Sequence, residues 1–390
     1  MTAPRIFLTD ELLKRALAER AEGSSDDLLW QIISSAEATS QPRRWSARLR
    51  PGPRQLVLLG AILLLLAALA GAVAVGSGLL RQPAPERSLL DPGRWIAYQT
   101  CTNCDGSDEQ VWLVRGDGTS SHRLSSLPGI ARAPAISPDG TQVAFGHLVS
   151  IDAPSQVYVA GIDGSNPHPV LTCIPPACLG YDEPAWSPNG TKLAIYTDFG
   201  PPQHNVPIAN GIAVVDVASG RLTQLVRHDG PTGQDWRPRW SPDGRFVVFW
   251  RARAGSDGSN QTAIFVVGSD GTDLRQLTPW AEDAGDPDWS PDGSTIVYST
   301  HPLDAQWATL AVESELVTIR PDGSGRKVLT HFGLIGPRAT QPRWTPNGRA
   351  VVYTRVTDKD RHIWVISADG VTNEPVLTQK VLYTNPALQP

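Results

Sequence analysis

PRWSPDGRFVVF, residues 238–249, decides the fold. Pro, Asp and Gly in Ser241-Pro242-Asp243-Gly244 suit a tight turn. Pro presets φ, Asp fills the next position, and Gly accepts positive φ. The apolar run after the turn alternates like a strand. Four relatives of this stretch exist: PAISPDGTQVAF (134–145), PAWSPNGTKLAI (184–195), PDWSPDGSTIVY (287–298) and PRWTPNGRAVVY (342–353). A second signal follows each copy, an alternating run ending in a turn pair. These are VYVAGIDG (157–164), IAVVDVASG (212–220), IFVVGSDG (264–271), LVTIRPDG (316–323) and IWVISADG (363–370). VWLVRGDG (111–118) is an earlier copy, and Asp91-Pro92-Gly93-Arg94 before WIAY is a worn first signal. The pattern predicts six units of about 50 residues with four antiparallel strands each, the make-up of a propeller blade.

Asp of the turn is Asn at positions 189 and 347, and Ser is Thr at 345. A catalytic or metal carboxylate would not survive that exchange, so these turns are structural. Trp186, Trp240, Trp289 and Trp344 share one register and are expected to fill wedges between blades. The final residues, Asn385-Pro386-Ala387-Leu388-Gln389-Pro390, align with Glu183-Pro184-Ala185-Trp186-Ser187-Pro188. The last stretch should therefore supply the inner strand that the first blade lacks, closing the ring and removing two sheet edges.

The W-S-P-D-G turn resembles the TolB-type β-propeller repeat, over residues 91–390. That resemblance implies the fold without implying one function, since the repeat also occurs in peptidases and lyases. The resemblance also implies, for TolB itself, an N-terminal α/β domain that is not expected here, so its partner is not carried over.

Ahead of the repeats, residues 55–80 form a stretch of 26 without charge. A helix needs roughly 20 residues to span the hydrocarbon core. The stretch reads as an uncleaved transmembrane helix, too long and too far into the chain for a signal peptide. Arg43, Arg44, Arg48, Arg50 and Arg54 crowd its N-terminal flank. The positive-inside rule then puts residues 1–54 in the cytoplasm. After a linker at 81–90, the propeller at 91–390 lies outside, in a periplasmic or other extracytoplasmic space. Within residues 9–38, two short amphipathic helices make a leader that could dock a cytoplasmic partner. Its place before a single anchor resembles membrane anti-sigma factors. Their zinc-binding His/Cys cluster is absent, as no His or Cys precedes residue 101.

Hydrophobic residues at 41% and charged residues at 19% exclude a mainly disordered chain. A net charge of −5 gives no field to attract nucleic acid. No nucleophile-elbow, zincin or P-loop pattern occurs. No hydrolase domain is expected after the propeller, and no cofactor is implied. All cysteines lie on the outer side, where disulfides persist. Cys101 with Cys104 and Cys173 with Cys178 are the favoured local pairs; a crossed staple and a four-cysteine zinc site are the alternatives.

Variable loops should share one face, opposite the repetitive turns. They bring His204, His228, Asp229, Trp236, Trp280, His301, Trp307, His331 and Arg338 toward one rim, with Glu282 and Asp283. The expectation is an anchored binding, scaffold or sensor module for a protein, peptide or glycan. The alternative is a propeller lyase or hydrolase using His and acidic residues of that rim.

Overall fold

The computed structural model describes residues 89–390, apart from 102–107, 125, 176–177, 199–209, 228–233, 256–259, 301–313, 333–336, 358–359 and 377–381. The leader, the apolar stretch at 55–80 and most of the linker lie outside the described residues. Among the described residues no helix is long and apolar enough to cross a membrane.

Strands follow the repeats. Blade 1 begins with β1 (Trp95–Cys101), β2 (Gln110–Arg115) and β3 (His122–Arg123). Blade 2 holds β4 (Ile130–Ile136), β5 (Gln142–Leu148), β6 (Gln156–Gly161) and β7 (His168–Leu171). Blade 3 holds β8 (Gly180–Trp186), β9 (Lys192–Asp198), β10 (Gly211–Asp216) and β11 (Leu222–Arg227). Blade 4 holds β12 (Gln234–Trp240), β13 (Phe246–Ala254), β14 (Asn260–Gly268) and β15 (Arg275–Gln276). Blade 5 holds β16 (Ala284–Trp289), β17 (Ile296–Thr300), β18 (Leu316–Ile319) and β19 (Lys327–Val328). Blade 6 holds β20 (Arg338–Trp344), β21 (Ala350–Val356), β22 (Arg361–Ser367) and β23 (Asn373–Pro375). β24 (Leu382–Leu388) pairs antiparallel with β1, giving blade 1 the order β24-β1-β2-β3. The result is a six-bladed all-β propeller, closed by its last strand as the repeat alignment predicts.

The closing seam is paired along its length. Ile96 faces Leu388 and Thr100 faces Tyr383 along the ladder. Beyond it, the Gln389 backbone N–H donates to Trp95 O (2.9 Å), and the Trp95 N–H donates to Gln389 Oε1 (2.9 Å).

The core is distributed between blades, because each sheet is apolar on both faces and must be covered on both. Between blades 6 and 1, for instance, Ile96, Tyr98 and Val114 pack with Val352, Ile363 and Val365. The repeated tryptophans lie in these wedges. Trp186 donates its Nε1–H to Ala135 O (3.0 Å) and Trp240 to Ala185 O (3.1 Å), each pinning its blade to the one before.

Turn chemistry is the same in every copy. Ser241 Oγ donates to Asp243 Oδ1 at 2.6 Å, and the Arg245 N–H donates to the same oxygen at 3.1 Å. These bonds hold the Asp243 carboxyl below the usual carboxylate range. Asn189 and Asn347 accept the equivalent hydroxyl bonds at 2.8 Å. Asp243→Asn should therefore shift stability by less than about 0.5 kcal/mol. Gly244 sits at φ +70, and a Cβ there would meet nothing closer than Pro188 Cδ at 3.7 Å. Gly244→Val should cost about 1–3 kcal/mol from backbone strain alone. Thermal melts of the two variants check the contrast.

Candidate functional site: the channel mouth

Six innermost strands surround the propeller axis, and each carries a bulge at the same place. The registers of β4, β8, β12, β16 and β20 against their neighbours shift across Arg132/Ala135, Asp182/Ala185, Trp236/Arg239, Gly285/Asp288 and Thr340/Arg343. In each bulge one residue before a proline adopts left-handed backbone. These are Ala133 (φ 50), Glu183 (54), Arg237 (55), Asp286 (55), Gln341 (56) and Asn385 (51). Six non-glycine residues at positive φ in one ring is strained backbone, and such strain concentrates where side chains must be aimed.

Each bulge releases a backbone N–H from the ladder, and a buried N–H needs another acceptor. In four of the six, a side chain of the preceding blade supplies it, while the Glu183 N–H donates to Asp182 Oδ1 of its own blade (2.7 Å). Glu183 Oε2 accepts from the Arg237 N–H (2.6 Å), Asp286 Oδ2 from Gln341 (3.0 Å), and Gln341 Oε1 from Asn385 (2.7 Å). Gln99 Oε1 accepts from Ala133 (3.2 Å) and from Asn385 Nδ2 (3.1 Å).

Arg237 crosses this ring. Its Nε lies 3.3 Å from Glu183 Oε1, and its Nη1 lies 2.8 Å from Asp286 Oδ1. The same Nη1 donates to Asn385 Oδ1 at 3.4 Å. Blades 3, 4 and 5 are thus joined to blade 1 on the far side of the axis, and the ring becomes a polar floor.

Above the floor opens a cavity of about 650 Å³. Its walls include Glu109, Arg132, Asp182, Gln234, Trp236, Arg338, Arg361 and Thr384. Arg132 and Asp182 are an ion pair at 2.6 Å, and the acid beside it raises the Arg132 pKa. Gly146 makes space for that acid, since a Cβ there would come within 2.1 Å of Asp182 Oδ1. Glu109 and Arg361 differ: among the described residues neither side chain has a hydrogen bond or ion pair. Burial pushes the Glu109 carboxyl up, ahead of the opposing pull of Arg132. Burial, then the charge of Arg338, pushes the Arg361 guanidinium down.

Of the rim residues read from the sequence, Trp236 and Arg338 line this cavity. Trp236 is itself packed, stacked on Tyr196 at 4.3 Å and against Trp250 at 6.2 Å. Trp280 lies elsewhere, over Phe265 at 5.6 Å with Arg253 4.1 Å from its ring centre. His331 is exposed and does not line the cavity. His204, His228, Asp229, His301 and Trp307 lie outside the described residues. No group of three or more His, Cys, Asp or Glu that could hold a metal occurs among the described residues. Cys173 and Cys178 form a disulfide, and Cys101 is also disulfide-bonded; Cys104 lies outside the described residues.

Residues 179–390 match the family described as the TolB beta propeller domain. The chain belongs to this family. The uncharacterized protein Atu1656 of Agrobacterium fabrum is 29% identical over 224 residues, covering 56% of this chain and 68% of that protein. Tricorn protease homolog 1 of Streptomyces coelicolor is 28% identical over 267 residues, 56% of this chain but only 23% of the homolog. Among solved structures, TolB from Acinetobacter baumannii has a TM-score of 0.55 at 18% identity, covering 76% of this chain and 67% of that one. Kuenenia stuttgartiensis hydrazine synthase has a TM-score of 0.60 at 14% identity, covering 77% of this chain and 47% of that one. At such identities the likeness of this TolB-family propeller to both structures is one of fold.

Proposed function

We propose that this chain is a membrane-anchored extracytoplasmic binding module that takes a polar segment of a protein, peptide or glycan into the channel mouth. The observation that carries the reading is Arg361 and Glu109 standing half-buried, without a hydrogen bond or ion pair among the described residues, beside a cup of about 650 Å³. Half-buried charge without a partner is costly unless something else satisfies it. A ligand with groups of both signs would satisfy both. Arg361→Ala and Glu109→Gln should leave the melting temperature of the full chain within about two degrees and abolish ligand retention. Loss of fold in either variant, or unchanged retention in both, would sink the reading.

The anchor rests on the uncharged run of 26 residues at 55–80 and the arginines at 43–54. The disulfides fit an oxidising compartment. A reporter active only in the cytoplasm should work when fused before Arg43 and fail when fused after Pro390. The reverse pattern would overturn the topology.

A further inference from the structure

Two residues beyond each ring position, the innermost strands carry a second tier. In blade order it reads Ala387, Ala135, Ala185, Arg239, Asp288 and Arg343. Three adjacent blades present the smallest side chain of the tier, and the other three present charge. The charged half is poorly satisfied by the protein. Arg343 is only 6% exposed, yet among the described residues its side chain makes one hydrogen bond, from Nη1 to the Pro342 carbonyl (2.7 Å). Arg239 repeats this with the Pro238 carbonyl (2.7 Å). Asp288 accepts the Trp344 N–H at 2.8 Å, and no ion pair joins it to either guanidinium among the described residues. Burial, then the like charge of Arg343, pulls the Arg239 guanidinium down to about 9. It therefore stays charged at neutral pH.

A second observation points the same way. Trp186 and Trp240 donate to the tier carbonyls of Ala135 and Ala185. Trp289 and Trp344 follow Arg239 and Asp288 in the blade order, and their buried indole N–H groups have no hydrogen-bond partner among the described residues. The charged half-tier thus coincides with the loss of the tie that Ala135 and Ala185 keep. Local rules broken together, with no gain visible inside the protein, are the mark of a site.

We propose that Arg239, Asp288 and Arg343 form a binding site for a single carboxylate, a site separate from the channel mouth and below the Arg237 floor. Two guanidinium groups offer paired N–H donors that match a planar carboxylate. Set against one carboxyl, itself pushed up by burial, the two guanidinium groups favour an anionic ligand.

The test is thermal unfolding of the full chain in sodium acetate against sodium chloride at equal ionic strength, with inorganic phosphate as a third arm. Acetate at about 100 mM should raise the melting temperature by about 2 °C in a saturable way. Arg343→Met should remove that rise, while Arg245→Met, which deletes an exposed charge of the same sign, should keep it. Line broadening of carbon-13 acetate on the wild-type chain gives the same reading without any variant. No rise and no broadening, or an equal rise in Arg343→Met, would overturn the proposal. A rise with phosphate alone would overturn the carboxylate assignment.

Discussion

Deleting residues 384–390 from the full chain should lower its stability by more than about 4 kcal/mol, far beyond the effect of losing an ordinary tail. The deletion strips most of β24 and leaves the inner edge of β1 without a partner. Buried Thr384 and Ala387 are lost with it, as is Leu388, which packs in the wedge between blades 6 and 1. Asn385 also leaves the ring, removing the far-side contact of Arg237 and one partner of Gln99. Melting of the truncated chain checks this, and a midpoint within a degree or two of the intact chain would show that closure does not depend on β24.

Arg237→Leu should cost about 3–5 kcal/mol, because it leaves charged partners buried and uncompensated. Arg237 is 8% exposed and Asp286 2% exposed. Leucine fills part of the volume but offers nothing to the carboxylates of Glu183 and Asp286, which the arginine now meets at 3.3 and 2.8 Å. Neutralising both acids as well, with Glu183→Gln and Asp286→Asn, should recover much of the loss, since an uncharged cluster pays no desolvation for isolated charge. Denaturant melts of the single and triple variants measure this coupling. A single variant within about 1 kcal/mol of wild type would mean that the floor carries no structural weight.

The ring could be read from the sequence before any coordinates, and the reason is local. Each Ser-Pro-Asp-Gly turn encodes its own geometry, and the alignment of Asn385-Pro386-Ala387 with Glu183-Pro184-Ala185 marks the missing inner strand. The channel could not be read the same way. A residue before proline reads as extended chain. Left-handed backbone at Glu183, Arg237 or Gln341 arises from the bulge that the assembled blade imposes. Contacts of the floor join residues far apart in sequence, Arg237 and Asn385 being 148 positions apart. Attention to variable loops did find Trp236 and Arg338, whose strands begin at the mouth. It missed Glu109, just ahead of β2, and Arg361, which opens β22, with no unusual residue type around them. A usable signal was nonetheless present. In every repeat the residue before the first proline varies through Ala, Glu, Arg, Asp, Gln and Asn, while the turn beside it is nearly constant. Variation at a fixed slot of a repeat marks a position that the blade itself does not specify.

Site-specific photocrosslinking in living cells tests the channel-mouth assignment most directly. A photoreactive residue at Gln234, on the cavity wall, should yield a discrete crosslinked species containing the full chain and its ligand. The same residue at Asp270, in an exposed turn on the opposite face, should yield none. Adducts from Asp270 with none from Gln234 would place recognition on the other face and contradict the account.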